Sequence, residues 1–336
     1  MKTLIEKLVS IPGPSGYEHQ VRDSIQQDIQ PFVDDIKVDA LGNLIARVGK
    51  KSTDGKRVML SGHMDEIGLI ATHIDENGFV RFTNLGGVNP KYCVGGHVRF
   101  LKGPRGVIDA EGARWNKNTP ELKKMYIDVG ASSREECPVQ VGDTAVFERT
   151  FMDLGNRVVT KALDDRIGVA IMMEALRRMK EDKRKSPHEI VFVFSTQEEV
   201  GLRGAGTSAY GVDPDVGLAL DVTMTGDTPK GLKMEVGLGK GPAIKVRDGR
   251  MLSDPRVIDW MVAAAQSHDI PYQLEVLEGG TTDAASIQIS RAGVPAGCIS
   301  IPCRYVHSPS EMVDMNDVEG AVRLLLELIT APIEGL

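Results

Sequence analysis

Arg57-Val58-Met59-Leu60-Ser61-Gly62-His63-Met64-Asp65 is the stretch on which the fold turns. It opens as a nearly continuous apolar run, the pattern of a strand covered on both faces; a strand with one wet face alternates. A histidine and an aspartate follow where the run ends. Three more runs share the form: Ile190–Phe194, Val216–Leu220 and Ala296–Ile301. Helical periodicity fills the intervals. Arg166 to Met179 carries Ile167, Ala170, Ile171, Met173 and Leu176. Asp254 is placed to cap a helix with Pro255 in its first turn, and Asn316 to cap the last one. That last helix has one apolar stripe: Val318, Val322, Leu325, Leu326 and Ile329. Short buried strands alternating with helices predict an α/β fold, with a mixed, mostly parallel sheet sandwiched by helices.

The pattern changes between about Ile67 and Asn156. Asn77-Gly78 separates alternating strands at Leu69–Ile74 and Phe79–Thr83, and Pro104-Arg105-Gly106 separates Val98–Leu101 from Val107–Ala110. Met125–Val129 and Thr144–Arg149 read as further strands. The expected organisation is an α/β domain from residues 1–66 plus 157–336, with a small all-β module, 67–156, inserted into it.

Composition narrows the function. Among 336 residues, 40 basic against 47 acidic side chains leave a net charge of −7, which speaks against nucleic acid as a partner. The densest basic stretch, Arg177 to Lys185, is interrupted by Glu181 and Asp182. No apolar run approaches the ~18 residues needed to cross a bilayer. The opening residues Met1 to Lys7 lack the apolar core of a secretory signal. Cys93, Cys137, Cys298 and Cys303 form no CxxC pair and read as reduced small hydrophobes. The expectation is a cytoplasmic protein with no membrane partner.

Ligands of open α/β sheets bind beyond the carboxyl ends of the strands. The first run leads to His63 and Asp65, the second to Glu198-Glu199, the third ends on Asp221, and the fourth leads through Pro302 to His307. Asp164-Asp165 stands where the Arg166 helix begins. A two-metal centre needs a bridging carboxylate plus one histidine and one carboxylate for each ion. Asp164 as the bridge, His63 and Asp221 on one ion, and Glu199 and His307 on the other make that set. All-N/O ligation suits Zn or Co. Asp65 can accept the second N–H of the His63 imidazole, and Glu198 is free to act as general base.

Four segments carry a family resemblance: Ser-Gly-His-Met-Asp-Glu-Ile-Gly (61–68), Lys-Ala-Leu-Asp-Asp-Arg-Ile-Gly (161–168), Ser-Thr-Gln-Glu-Glu-Val-Gly (195–201) and Val-His-Ser-Pro-Ser-Glu (306–311). They resemble the tetrahedral (TET) aminopeptidases, a family that includes glutamyl and deblocking aminopeptidases and some proteins labelled endoglucanases. The similarity runs nearly end to end, through Ile11–Gly16 and Asp39–Asn43. It implies an aminopeptidase/carboxypeptidase-like domain with a PDZ-like β-barrel as dimerisation domain. It implies a hollow dodecamer of dimers acting on short peptides. It also implies His63, Asp164, Glu199, Asp221 and His307 as ligands, Glu198 as base, and a cis bond between Asp164 and Asp165.

Other readings are weaker. Gly237-Leu238-Gly239-Lys240-Gly241 lacks the third glycine of a dinucleotide fingerprint, where Pro242 stands, and the hydroxyl residue of a P-loop, so it is expected as a loop near the substrate. Thr281 or Asp283 could line the pocket for the first residue of a peptide. A glycoside hydrolase could use Glu198 and Asp221 as its carboxylate pair, but it has no work for His63 and His307, and 5% aromatic content offers few surfaces for sugars. Removal of an acyl group would use the same centre with another pocket, while an inactive scaffold would lack a ligand or the base.

Overall fold

The computed structural model describes residues 1–112 and 118–336. The four apolar runs are strands at Arg57–His63, Glu189–Ser195, Val216–Thr223 and Ala296–Arg304, and they lie side by side and parallel in the middle of an 11-stranded sheet. The register sets Ser195 beside His63, Ala219 beside Ser61 and Asp221 beside Ser300. Three of the strands therefore end together. Antiparallel strands complete the sheet: Leu44–Val48 pairs with Glu189–Ser195, and Glu311–Asp314 with Ala296–Arg304. The expected mixed, mostly parallel α/β sheet is present.

Both faces are covered because successive side chains of a strand point to opposite sides. Phe192 and Phe194 join the large core under helices Lys2–Ser10, His19–Ile29, Leu163–Glu181 and Met315–Thr330. Val191 and Val193 face the other way, against Ala205 and Ala209 of helix Arg203–Val212 and Ile287 of helix Asp283–Gln288. Each side chain buried this way contributes about 1.5–3 kcal/mol. That is why the runs are apolar at every position rather than at alternate ones.

Two end signals had different outcomes. Asp254 caps helix Pro255–Ser267 through a bond from the Arg256 N–H, as expected. The last helix is capped by Asp314, which accepts from the Asn316 N–H at 3.0 Å, so Asn316 is the residue capped rather than the cap. No disulfide joins the cysteines. Among the described residues, no helix is long and apolar enough to cross a membrane.

The all-β stretch closes into a six-stranded barrel of Gly68–Ile74, Val80–Leu85, His97–Phe100, Arg105–Ala110, Met125–Asp128 and Thr144–Phe147. It has its own core around Val80, Val98, Phe100, Ile108, Ile127 and Phe147. The chain leaves for the barrel directly after His63 and Asp65, so the sheet and the barrel meet at the strand end where the candidate residues gather.

Candidate active site

His63 is the last residue of its strand and is buried. Its Nδ1 lies 3.0 Å from the backbone carbonyl of Asp65, with the Asp65 carboxylate at 3.4 Å. The ring is thus oriented mainly by main chain. Its Nε2 faces Asp164 Oδ1 at 3.0 Å, Glu198 Oε2 at 3.9 Å and Asp221 Oδ1 at 4.0 Å. The second oxygen of Asp164, Oδ2, lies 3.3 Å from His307 Nε2, and Glu199 Oε1 is 3.4 Å from the same nitrogen. Asp164 turns one carboxylate oxygen toward each histidine. His63, Asp164 and Asp221 bring ligand atoms within 4.8 Å of one another, and so do Asp164, Glu199 and His307. The Asp164–Asp165 peptide is cis, as the resemblance implied.

The sequence matches the family model for M42 glutamyl aminopeptidase over residues 42–324. The chain belongs to the M42 family. Its M42 relatives align over nearly their whole length. A protein of Acetivibrio thermocellus named as an aminopeptidase is 47% identical over 331 residues, covering 98% of each chain. The structure of aminopeptidase APDkam598 from the archaeon Desulfurococcus kamchatkensis superposes with a TM-score of 0.93 at 42% identity, covering 99% of this chain and 97% of that one. The TET1 peptidase of Pyrococcus horikoshii, described as assembling into a tetrahedron or a large octahedral shell, gives 0.86 at 34% identity over 97% and 98% of the two chains. Membership makes this M42 chain a hydrolase of the aminopeptidase class.

Behind the six candidate residues of the M42 site stands a layer that holds their backbones. The Asp65 carboxylate accepts the N–H groups of Glu198 and Glu199 at 3.0 and 3.2 Å and the Ser15 hydroxyl at 2.6 Å. Glu311 accepts from the Asp164 N–H and the His307 N–H, each at 3.0 Å. Asp165 accepts from the His63 N–H at 3.1 Å and the Gly168 N–H at 3.0 Å. Asp283, buried, accepts from Ser61 and Ser195, one hydroxyl on each of two neighbouring strands. Arg166 is fully buried with its guanidinium on the carbonyls of Met64, Leu8 and Ile11. Sequence reading quoted Glu311 and Arg166 within the family segments but gave neither a role in the site. The glutamate four residues beyond His307 was a usable signal for the first, whereas nothing in the sequence marks a buried arginine.

Electrostatics sharpen the picture. Burial would lower the pKa of His307, but the Asp164 and Glu199 carboxylates overcome it and push the value up to about 12. His63 likewise rises well above the usual histidine range despite burial, held charged by Asp164 and Asp65. Burial pushes Glu198 and Asp221 well above the carboxylate range. Carboxyl groups buried this deeply and set this close together ionise only beside cations. Among the described residues, buried Glu199 Oε1 is left without a hydrogen-bond donor, with the His307 nitrogen at 3.4 Å. An acidic N/O cage with an orphaned carboxylate oxygen fits divalent metal better than protons.

His63, Asp164, Glu198, Glu199, Asp221 and His307 line one side of a cavity of about 440 Å³, and Thr223, Met224, Lys245, Arg250, Leu277 and Thr281 are among the residues lining the rest. Lys245 and Glu275 form a buried ion pair beneath it, and Glu275 also accepts from Thr223 at 2.7 Å. Of the two residues expected at this wall, Thr281 reaches the cavity and Asp283 sits behind it. The Gly237–Gly241 loop is a correction. The N–H groups of Gly239 and Gly241 are bonded at 2.7 Å to Asp317 of the last helix, and the loop does not line the cavity.

Proposed function

We propose that this chain is a two-metal aminopeptidase that removes residues from the N-termini of short peptides. The observation that carries the reading is the Asp164 carboxylate, with Oδ1 toward His63 and Oδ2 toward His307. In this reading Asp164 would be shared by two ions, with His63 and Asp221 holding one and Glu199 and His307 holding the other. The donor set is entirely nitrogen and oxygen, which suits Zn²⁺ or Co²⁺. When bound, such ions polarise the scissile carbonyl and acidify the attacking water.

The remaining work falls to the chain. Glu198 lines the cavity with its carboxylate 3.9 Å from His63 Nε2, close enough to the centre to take a proton from water and return it to the leaving amine. Burial raises its pKa, bringing a carboxylate nearer to the range in which a base both takes and gives a proton. Asp65 fixes the main chain on which Glu198 and Glu199 stand. The cavity beside the ions, with Leu277, Met224 and Arg250 on its wall, takes the side chain of the first residue.

Likeness to the TET1 peptidase supports a homo-oligomer; a dodecamer built from dimers, with the inserted module, 67–156, as the dimerisation domain, is what the sequence resemblance implies.

The test is to strip the protein with a chelator and assay aminoacyl-nitroanilides with Zn²⁺ or Co²⁺ restored. Glu198→Gln is expected to keep both ions and lose turnover by at least about 100-fold. Release from N-acylated peptides alone, or turnover undiminished in that variant, overturns the reading.

A further inference from the structure

The strand Val80–Leu85 of the barrel runs straight into Gly86-Gly87, and these two residues touch the centre in the sheet domain. Gly86 has φ +79°, so its backbone requires glycine. A Cβ there would lie 2.8 Å from Glu199 Oε2. Gly87 is different. Its φ lies outside the left-handed region, and nothing in its own backbone excludes a side chain. What excludes one is the His307 ring, because a Cβ on Gly87 would fall onto it, 2.5 Å from Cε1. Real Cβ atoms do not approach a ring so closely. The Gly87 N–H also points to Glu199 Oε2, at 3.4 Å.

We infer that Gly87 is a positioning residue for the Glu199–His307 metal site, so that the inserted barrel completes the catalytic centre as well as serving assembly. The inference rests on the ligand roles proposed above for His307 and Glu199. Its physical content is narrow. His307 sits on a short connection, at φ +60°, between strand Ala296–Arg304 and strand Glu311–Asp314, with its main-chain N–H bonded to Glu311. Glu311 fixes the backbone and leaves the ring free to swing. Asp164 and Glu199 attract its Nε2, and the bare Cα of Gly87 stands against the Nδ1–Cε1 edge. Adding one methyl group pushes the ring out of line with Asp164 Oδ2. The His63–Asp164–Asp221 triad has no contact with Gly87 in this account and keeps its geometry.

The experiment is a double-mutant cycle on the full chain: wild type, Gly87→Ala, His307→Ala and the double variant. Metal equivalents are counted by elemental analysis after loading with Co²⁺ or Zn²⁺ and desalting. Unfolding is followed on the chelated proteins. Gly211→Ala serves as control, since its added Cβ meets nothing within 4 Å and its φ is ordinary. Wild type is expected to hold two ions. Gly87→Ala should bind the second about 10- to 100-fold more weakly and retain about one after desalting. In the His307→Ala background the same change should alter neither metal content nor melting temperature.

Two ions bound at wild-type affinity by Gly87→Ala would overturn the inference and leave the proposed function standing. An equal loss of melting temperature with and without His307 would overturn it as well, since Gly87 would then be filling a general packing role. If Gly87→Ala fails to fold, folding of the double variant supports the clash with His307, and its failure refutes it. A wild type that holds fewer than two ions removes the two-metal reading and this inference together.

Discussion

Replacing Asp65 with asparagine should damage the chain more than the loss of one charge suggests. His63, two residues before it, holds the Asp65 carboxylate below its usual pKa against burial, with Ser15 and the Glu198 N–H helping, so Asp65 is ionised. It receives three hydrogen bonds: Ser15 and the Glu199 N–H on Oδ2, and the Glu198 N–H on Oδ1. An asparagine keeps one acceptor oxygen and turns an NH₂ toward a donor. If Ser15 and Glu199 keep the oxygen, the Glu198 N–H faces another N–H in a buried site. A lost bond to a charged group is worth about 1.5–3 kcal/mol, and an unsatisfied buried donor about 1–3 kcal/mol. Because the two figures describe the same lost bond from its two ends, they are not summed, and the expected loss is about 1.5–3 kcal/mol. The Glu198 carboxylate moves with its main chain, and a displacement near 1 Å costs about 100-fold in turnover. Urea denaturation of the metal-free protein measures the first quantity, free of any ligand contribution, and kcat at saturating substrate measures the second. Stability within 1 kcal/mol and turnover within about threefold of wild type would show that the Glu198–Glu199 segment is held by something other than Asp65.

Phe192→Ala removes a fully buried ring between the sheet and its helices and should cost about 3–5 kcal/mol in the same denaturation experiment; a loss under 1 kcal/mol would mean that the neighbouring layers collapse into the space. Glu174 provides a pH test away from the centre. Arg177 and then Arg178 hold its carboxyl at about 2 against partial burial, below the ordinary 4.5. Because the folded value is depressed, its contribution is complete above about pH 4.5 and is lost as the pH falls toward 2. Melting curves of Glu174→Gln should therefore fall less steeply than wild type across that window, and parallel curves would discount the Arg177 and Arg178 contacts.

Much of this was legible in the sequence for a physical reason. A strand buried on both faces has to be apolar at every position, so Ile190–Phe194 and Val216–Leu220 announced themselves, and with them the doubly covered sheet. Polar residues at the ends of such runs are out of place unless they have work, which drew attention to His63, Asp221 and Glu198-Glu199. What escaped was whatever depends on partners distant in sequence. Glu311 matters because it joins the backbones of Asp164 and His307, and Asp283 because Ser61 and Ser195 stand on adjacent strands. The misplaced cap has a local cause. Asp314 and Asn316 are both able cap residues, and the strand Glu311–Asp314 passes into the helix with no linker, so the helix begins at Met315, one residue before Asn316, and Asp314 is left as its cap. The Gly237–Gly241 loop misled for the opposite reason, since its N–H groups do bind an anion, the carboxylate of Asp317.

The separation of His63 from His307 along the chain also sets a schedule. Synthesis delivers His63 early, then the whole barrel, then Asp164, Glu199 and Asp221, and His307 only after the Ala296–Arg304 strand. Domains form from the N-terminal side as a chain emerges, yet this centre cannot close until one of the last strands has paired with Val216–Thr223. On the ligand roles proposed above, a hydrolase of peptides built in that order would have no complete cutting edge while its own unfolded segments are still exposed.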